Sequence, residues 1–323
     1  RHADRIALTN ASESPLGATA YVTLEPCCHH GKTPPCTEGL IDAGISRVVI
    51  AMQDPNPLVA GKGVAMLEAA GIQVVSGLLE EQARALNPGF IKRMQSNIPF
   101  VRCKMACSLD GRTAMASGES VWISSAQSRR DVQFLRAESS AIMTGVGTGL
   151  FDDPSMNVRL TAEDLSLDSD LSDMQPLRVI LDAELQTPVA AAILNIPGDT
   201  ILFCQPGAIA RAAQYPQENV SVIAVDSMEN GYLDLQQVLG KLAQLQVNQV
   251  LLETGATLAG TMLSAGMIDE IIIYQAGHLM GDSARGLFHL PGMQNMAERI
   301  ELIVTDCRKI GDDHRITLSV KPG

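Results

Sequence analysis

The residues best equipped for chemistry lie in one stretch, Tyr21 to Cys36 (YVTLEPCCHHGKTPPC), taken together with His2-Ala3-Asp4 at the start of the chain. Thr19 to Leu24 reads as a strand that breaks at Glu25-Pro26 and delivers Cys27 to the mouth of a loop closed by Pro34-Pro35-Cys36. A helix is expected from Cys36 to about Ala43, stopped at Gly44. Two thiolates and one imidazole gathered in this way can hold a tetrahedral Zn²⁺ and leave its fourth position open for water, the arrangement of a catalytic rather than a structural zinc site. The chemistry would be hydrolytic. The competing reading is core packing, because cysteine is a small hydrophobe that is often buried.

The elements that must position this loop alternate. A nearly continuous apolar strand is expected from Ser46 to Met52, a helix from about Val64 to Ala70 ended by Gly71, and a strand from Ile72 to Leu78. Unbroken apolar strands in β-α-β alternation imply a sheet covered on both faces. A helix near Glu80 to Leu86 leads into Asn87-Pro88-Gly89, a polar amphipathic segment runs to Asn97, and Ile98-Pro99 marks a domain boundary.

A second domain opens with a strand from Phe100 to Ser108 whose Lys104 either snorkels from an edge or sits in a cleft. After it come Ser108-Leu109-Asp110-Gly111-Arg112-Thr113-Ala114, then Gly118 to Ser124 with the only Trp of the chain, then a helix from about Ser125 to Glu138. A strand from Ala141 to Gly145 enters a glycine-bearing loop, Gly145 to Pro154. It carries no dinucleotide fingerprint, since G-x-G-x-x-G cannot be read across it. Further strands are expected at Leu177–Leu181, Thr200–Phe203, Val220–Val225 and Gln249–Glu253. Gly255 then opens a helix whose first N–H groups either cradle an anion or form a plain turn. Late strands near Glu270–Ala276, Ile300–Arg308 and His314–Val320 follow, the last two joined as a hairpin through Gly311-Asp312-Asp313.

Composition narrows the partners. The 323 residues are enough for two domains of ordinary size, and 46 % hydrophobic with 19 % charged residues is globular. No apolar run reaches the roughly 18 to 20 residues of a membrane span. A formal charge of −12 argues against a phosphate-backbone partner, which demands a Lys/Arg surplus. Seven scattered cysteines, an odd count without a secretory signal, indicate reduced thiols and a cytoplasmic protein. The stretch from Thr161 to Met174 is acidic, without a basic residue, and reads as an exposed excursion.

Pro-Cys after a strand, Pro-Pro-Cys before a helix and an upstream His-Ala-acid resemble the zinc nucleobase-deaminase pattern, with two departures. Eight residues rather than two separate Cys27 from Cys36, and the acid is Asp4 where the pattern has Glu. The expanded loop Pro26 to Cys36, with Asp54-Pro55-Asn56-Pro57 and Gly61-Lys62-Gly63, resembles the deaminase half of the bifunctional riboflavin-biosynthesis deaminase/reductase family. The Ser108–Ala114 and Gly118–Ser124 runs resemble its reductase half. The resemblance implies a cytidine-deaminase-like α/β/α domain at about 1–97 followed by a dihydrofolate-reductase-like α/β domain at 98–323. It further implies that a segment of the first domain, including part of its substrate pocket, precedes Arg1.

By the same resemblance the zinc ligands are His2, Cys27 and Cys36, with Asp4 shuttling protons while a diaminopyrimidinone phosphoribosylamine loses ammonia. Cys28, His29 and His30 would flank the site, the histidines facing substrate or solvent. NADPH would then reduce the ribosyl C1′. Lys104, Asp152 and Glu253 are implied around the reacting sugar, and Ser120, Arg136, Met156, Arg159 and Glu253 at the substrate. Ala106, Trp122, Thr148, Asp152, Ala183 and the run Gly255, Ala256, Thr257, Leu258, Ala259, Gly260, Thr261 are implied at the cofactor. NADPH is expected over NADH, since no acid is placed to bind a ribose 2′-hydroxyl. A homo-oligomer is compatible with all of this. The alternatives are a reductase alone, its zinc domain merely structural, and a nucleic-acid deaminase, against which the loop length and acidic charge both speak.

Overall fold

Val48, Val49, Ile50 and Met52 are all 4 % exposed or less, because their strand is the middle of a three-stranded parallel sheet. A central parallel strand meets apolar cover on both faces, so its sequence runs apolar instead of alternating. The structure, a computed structural model, describes residues 2–30, 34–167, 175–228 and 231–321. Gly31, Lys32 and Thr33 of the metal loop and residues 168–174 of the acidic excursion lie outside the described residues. The chain divides into a unit of residues 1–97 and a unit of residues 98–323.

In the first unit the order is α1 (Ala3–Asn10), β1 (Thr19–Leu24), α2 (Cys36–Asp42), β2 (Arg47–Met52), α3 (Lys62–Ala69), β3 (Gln73–Ser76), α4 (Glu80–Leu86) and α5 (Pro88–Ser96). The parallel sheet has the order β1-β2-β3 and packs its core from Leu40, Ile45, Val48, Ile50, Leu67 and Ile72. Gly44 and Gly71, at φ +67° and +82°, follow α2 and α3 in the left-handed conformation that only glycine adopts cheaply. The residues around His2 form a helix, α1, that the sequence reading does not contain, since none of its residues is buried and no apolar stripe marks it. The polar segment before the boundary is helix α5, with Pro88 at its start, where the missing N–H costs nothing.

The second unit runs β4 (Phe100–Cys107), β5 (Arg112–Ala114), α6 (Ala126–Glu138), β6 (Ala141–Gly145), α7 (Val146–Asp152), β7 (Leu177–Leu181), β8 (Thr200–Cys204), β9 (Val220–Ala224), α8 (Leu235–Gln244), β10 (Gln249–Glu253), α9 (Ala256–Ser264), β11 (Glu270–Gln275), β12 (Arg285–Gly286), β13 (Leu302–Ile310) and β14 (Asp313–Val320). Its nine-stranded sheet has the order β13-β14-β11-β4-β10-β6-β7-β8-β9, and β5 pairs with β12 apart from it. From β11 to β9 all pairings are parallel, and the β13–β14 hairpin closes one edge antiparallel. The chain steps outward from β6 to β9, then returns to insert β10 between β6 and β4. That reversal opens a crevice at the carboxyl ends of β4, β10 and β6, where open α/β sheets bind ligands.

Two helices of the second unit differ from the sequence reading. The stretch Gly145–Pro154, read as a loop, holds a short helix, α7, ended by Asp153 at φ +39°. Gly147 and Gly149 depress helix propensity and hide it. Between Val225 and Gln249 the reading has no element, yet α8 buries Leu235, Val238, Leu239, Leu242 and Ala243. The Asp234 carboxylate caps it, accepting from the Gln236 and Gln237 N–H groups.

Candidate active sites

In the first unit, β1 ends at Leu24 and the chain turns through Glu25-Pro26 to present Cys27, while Pro35 sets Cys36 at the start of α2 and His2 precedes α1. His2 Nδ1 lies 3.1 Å from Cys36 Sγ and 3.4 Å from Cys27 Sγ. All three ligand atoms fall within 4.8 Å of one another. Zn–S bonds near 2.3 Å and Zn–N bonds near 2.0 Å at tetrahedral angles require N···S separations of about 3.5 Å, so the donor set fits zinc. The Cys36 N–H donates to Cys27 Sγ at 3.3 Å, which supports sulfur in its anionic form. Burial, then the Asp4 carboxylate, then Cys27 push the Cys36 thiol up, so acidic groups crowd where a cation would balance them.

Two neighbours hold this arrangement. Arg5 of α1 donates from Nη2 to Pro35 O at 2.8 Å, and its guanidinium covers Gly39, where a Cβ would meet Nε at 2.8 Å. The helix bearing Asp4 is thereby tied to the start of the helix bearing Cys36. Glu25 is 3 % exposed, and its carboxylate accepts from the Asp54, Gly61 and Val64 N–H groups at 3.2, 2.9 and 3.1 Å. It fixes the 54–64 segment behind the metal loop; its sequence signal, an acid just before Pro-Cys, reads only as a strand break. His29 and His30 stay outside the cluster, and His30 Nε2 faces Glu38 Oε1 at 3.3 Å.

In the second unit, register does the positioning. Glu253, the last residue of β10, stands opposite Lys104 of β4, and Lys104 Nζ lies 3.6 Å from Glu253 Oε2. Arg136 of α6 reaches the same carboxylate with two parallel bonds, Nε to Oε1 at 2.6 Å and Nη2 to Oε2 at 3.1 Å. Burial alone would raise the Glu253 carboxyl, but Arg136 and then Lys104 outweigh it and hold it at about 2. Helix α6 is anchored by Asp313 of β14, whose carboxylate accepts from Ser125 N–H at 2.7 Å and Ser128 Oγ at 2.6 Å.

A cavity of about 780 Å³ opens at the sheet reversal. It gathers Lys104 and Ala106 of β4, Ser120, Arg136, Thr148 and Asp152 of α7, Met156, Ala183 and Glu253, with Gly255, Ala256, Thr257, Leu258 and Thr261 around the start of α9. Burial raises the Asp152 carboxyl. No side chain caps α9, so its leading N–H groups face the cavity mouth as an anion cradle that suits a dinucleotide phosphate.

Four sequence-expected residues stand elsewhere. Trp122 is 72 % exposed with Arg129 4.4 Å over its ring, and Arg159 is exposed, bonded to Asn157 Oδ1 at 3.2 Å. Ala259 and Gly260 face the core, as the helical period demands when residues 257, 258 and 261 face the cavity. A Cβ at Gly260 would lie 2.1 Å from His289 O. Conversely, Tyr232, Leu233, Leu235 and Arg285 line the cavity without having been singled out. Leu235 opens the helix the sequence reading lacks, and Arg285 lies in a two-residue strand too short to show periodicity.

Comparison with known proteins matches both units. The family description "RibD C-terminal domain" covers residues 99–316, and "Cytidine and deoxycytidylate deaminase zinc-binding region" covers residues 1–52. The chain is 45 % identical to riboflavin biosynthesis protein RibD of Escherichia coli (strain K12), over 97 % of this chain and 84 % of that protein. With the Haemophilus influenzae RibD the identity is 44 %, over 99 % and 85 %. A solved Acinetobacter baumannii RibD superposes with a TM-score of 0.88 at 43 % identity, covering 100 % of this chain and 86 % of that one. The Thermotoga maritima deaminase/reductase gives 0.80 at 29 % identity, covering 99 % and 85 %.

Proposed function

Because the chain belongs to the RibD family of bifunctional deaminase/reductases of riboflavin biosynthesis, we infer that its two units catalyse the two successive reactions of that family. The enzyme is a zinc hydrolase and an NADPH-dependent oxidoreductase, built as a cytidine-deaminase-like α/β/α domain followed by a dihydrofolate-reductase-like α/β domain. The observation that carries the reading is the presence in one chain of the His2/Cys27/Cys36 donor set and of the Lys104–Glu253–Arg136 cluster on a cavity large enough for a cofactor.

In the first reaction, 2,5-diamino-6-(5-phosphoribosylamino)pyrimidin-4(3H)-one exchanges its amino group for oxygen and releases ammonia. Zinc held by His2, Cys27 and Cys36 would lower the pKa of water so that it attacks near neutral pH. Asp4 adjoins Cys36 and is the carboxylate within reach to take the proton from water and hand it to the departing amine. Arg5 and Glu25 hold the elements carrying these groups.

In the second, 5-amino-6-(5-phosphoribosylamino)uracil is reduced at the ribosyl C1′ to the ribitylamino product. NADPH supplies the hydride. The leading N–H groups of α9, with Thr148 and Ala183, are proposed to seat the dinucleotide, while Lys104, Asp152 and Glu253 surround the sugar. Glu253 stays ionised and fixes Lys104 and Arg136 in place, and Arg136, Ser120 and Met156 orient the substrate. Arg159 is exposed outside the cavity lining, yet partial desolvation and then the Arg136 charge lower its pKa, so the two cations lie near one another and Arg159 is proposed for the substrate phosphate.

No helix among the described residues is long and apolar enough to cross a membrane, and all seven cysteines are free thiols. We place the enzyme in the cytoplasm on the strength of the thiols. The test is an anaerobic assay of the pure protein on the diaminopyrimidinone substrate, following ammonia and NADPH together. Release of ammonia followed by NADPH oxidation is expected; ammonia without NADPH oxidation, or neither, would defeat the reading.

A further inference from the structure

The reductase cavity is lined by three cations, Lys104, Arg136 and Arg285. The first two share the carboxylate of Glu253, so their charge is largely spent inside the protein. Arg285 has no carboxylate within ion-pair distance among the described residues. It is exposed at the start of the short β12 strand, which pairs with β5, and its guanidinium lies beside Gly118. A Cβ on Gly118 would lie 3.4 Å from Arg285 Nη2 and 3.3 Å from Phe151 Cζ, which sets the guanidinium at the cavity wall formed by Gly118 and Phe151. In a chain of net charge −12, an uncompensated arginine facing a cavity is a local exception to the field around it.

We propose that Arg285 is a binding residue of the reductase site that engages a phosphate group of a ligand in this cavity. The inference rests on the reductase reading above, under which both occupants carry phosphate: the sugar phosphate of the substrate, and the 2′-phosphate and pyrophosphate of the cofactor. A guanidinium offers a planar fork of donors that matches two phosphate oxygens at once, and it stays charged at every working pH. Because phosphate is remote from the reacting carbon, the contribution falls on binding and leaves the chemical step alone.

The experiment compares Arg285→Ala, Arg285→Gln and Arg285→Lys in the full chain, measuring kcat and KM for the phosphoribosylaminouracil substrate, NADPH and NADH. Alanine and glutamine should raise one KM by on the order of tenfold with kcat within threefold, and lysine should recover part of the loss. A rise confined to the uracil substrate assigns the contact to the sugar phosphate. A rise for NADPH alone assigns it to the 2′-phosphate, and an equal rise for NADPH and NADH to the pyrophosphate. Glutamine keeps much of the aliphatic stem without the charge, so a defect in Arg285→Ala that Arg285→Gln does not share would mark a packing role and overturn the proposal. All three KM values within twofold of the parent would overturn it as well, while the parent's own activity leaves the reductase reading intact. A parent that oxidises no NADPH would remove both.

Discussion

Single residues decide the chemistry at both sites. At the zinc cluster the acid is Asp4, one methylene shorter than the Glu of the pattern it resembles, and it is half-buried beside Cys36. A displacement of about 1 Å can cost on the order of a hundredfold in rate, and in the proposed ligand set His2, two residues away, would fix the backbone to the metal. Asp4→Glu is therefore expected to raise deaminase kcat at least tenfold, about 1.4 kcal/mol of barrier, with reductase turnover unchanged. Ammonia release that stays level or falls would mean that the pocket is fitted to the shorter acid. At the reductase site Glu253 is the counter-ion of two cations, with its side chain 11 % exposed. Glu253→Gln strands both and should cost about 3 kcal/mol. The carboxyl is depressed from its ordinary 4.5 to about 2, so its contribution is complete above pH 4.5 and is lost as the pH falls toward 2. The stability gap between parent and variant, followed by thermal melting against pH, should close over that interval and stay constant between pH 5 and 8.

At the scale of elements, the start of α9 meets the cavity because its buried face fits the 289 segment with no space to spare. Gly260 sits at that contact, and an added methyl would fall 2.1 Å from a backbone carbonyl, which cannot swing aside as a side-chain end could. Gly260→Ala should destabilise the second unit by about 2 kcal/mol and tilt the leading N–H groups away from the cofactor. A lower Tm together with a higher KM for NADPH is the expected result, and an unchanged Tm would contradict the packing argument. Helix α6 shows the same coupling between anchor and site. Asp313 caps its first turn from β14, and its last turn delivers Arg136 to Glu253.

On the scale of the whole molecule, the two chemistries sit in separate units of one chain, so each should be removable without the other. Cys36→Ser should lose zinc, read as metal per chain, and with it ammonia release, while NADPH still binds; stoichiometric zinc in that variant would refute the ligand set. What the sequence determined by itself is the local and the periodic. The strands Thr19–Leu24, Ala141–Gly145, Leu177–Leu181 and Gln249–Glu253 and the helix Glu80–Leu86 have the bounds read from residue type alone. The resemblance of the Pro26–Cys36 loop and the upstream His2-Ala3-Asp4 to a zinc-deaminase pattern singled out His2, Cys27 and Cys36, and the fold brings their ligand atoms within 4.8 Å of one another. Tertiary structure alone decided the rest. The insertion of β10 between β4 and β6 set Glu253 against Lys104, 149 positions earlier in the chain, and no periodicity encodes the order of strands in a sheet. Helical phase turned Ala259 and Gly260 to the core while Thr257, Leu258 and Thr261 reached the cavity. The β5–β12 pairing brought Arg285 to the same wall through two strands of three and two residues, too short to leave any pattern in the sequence.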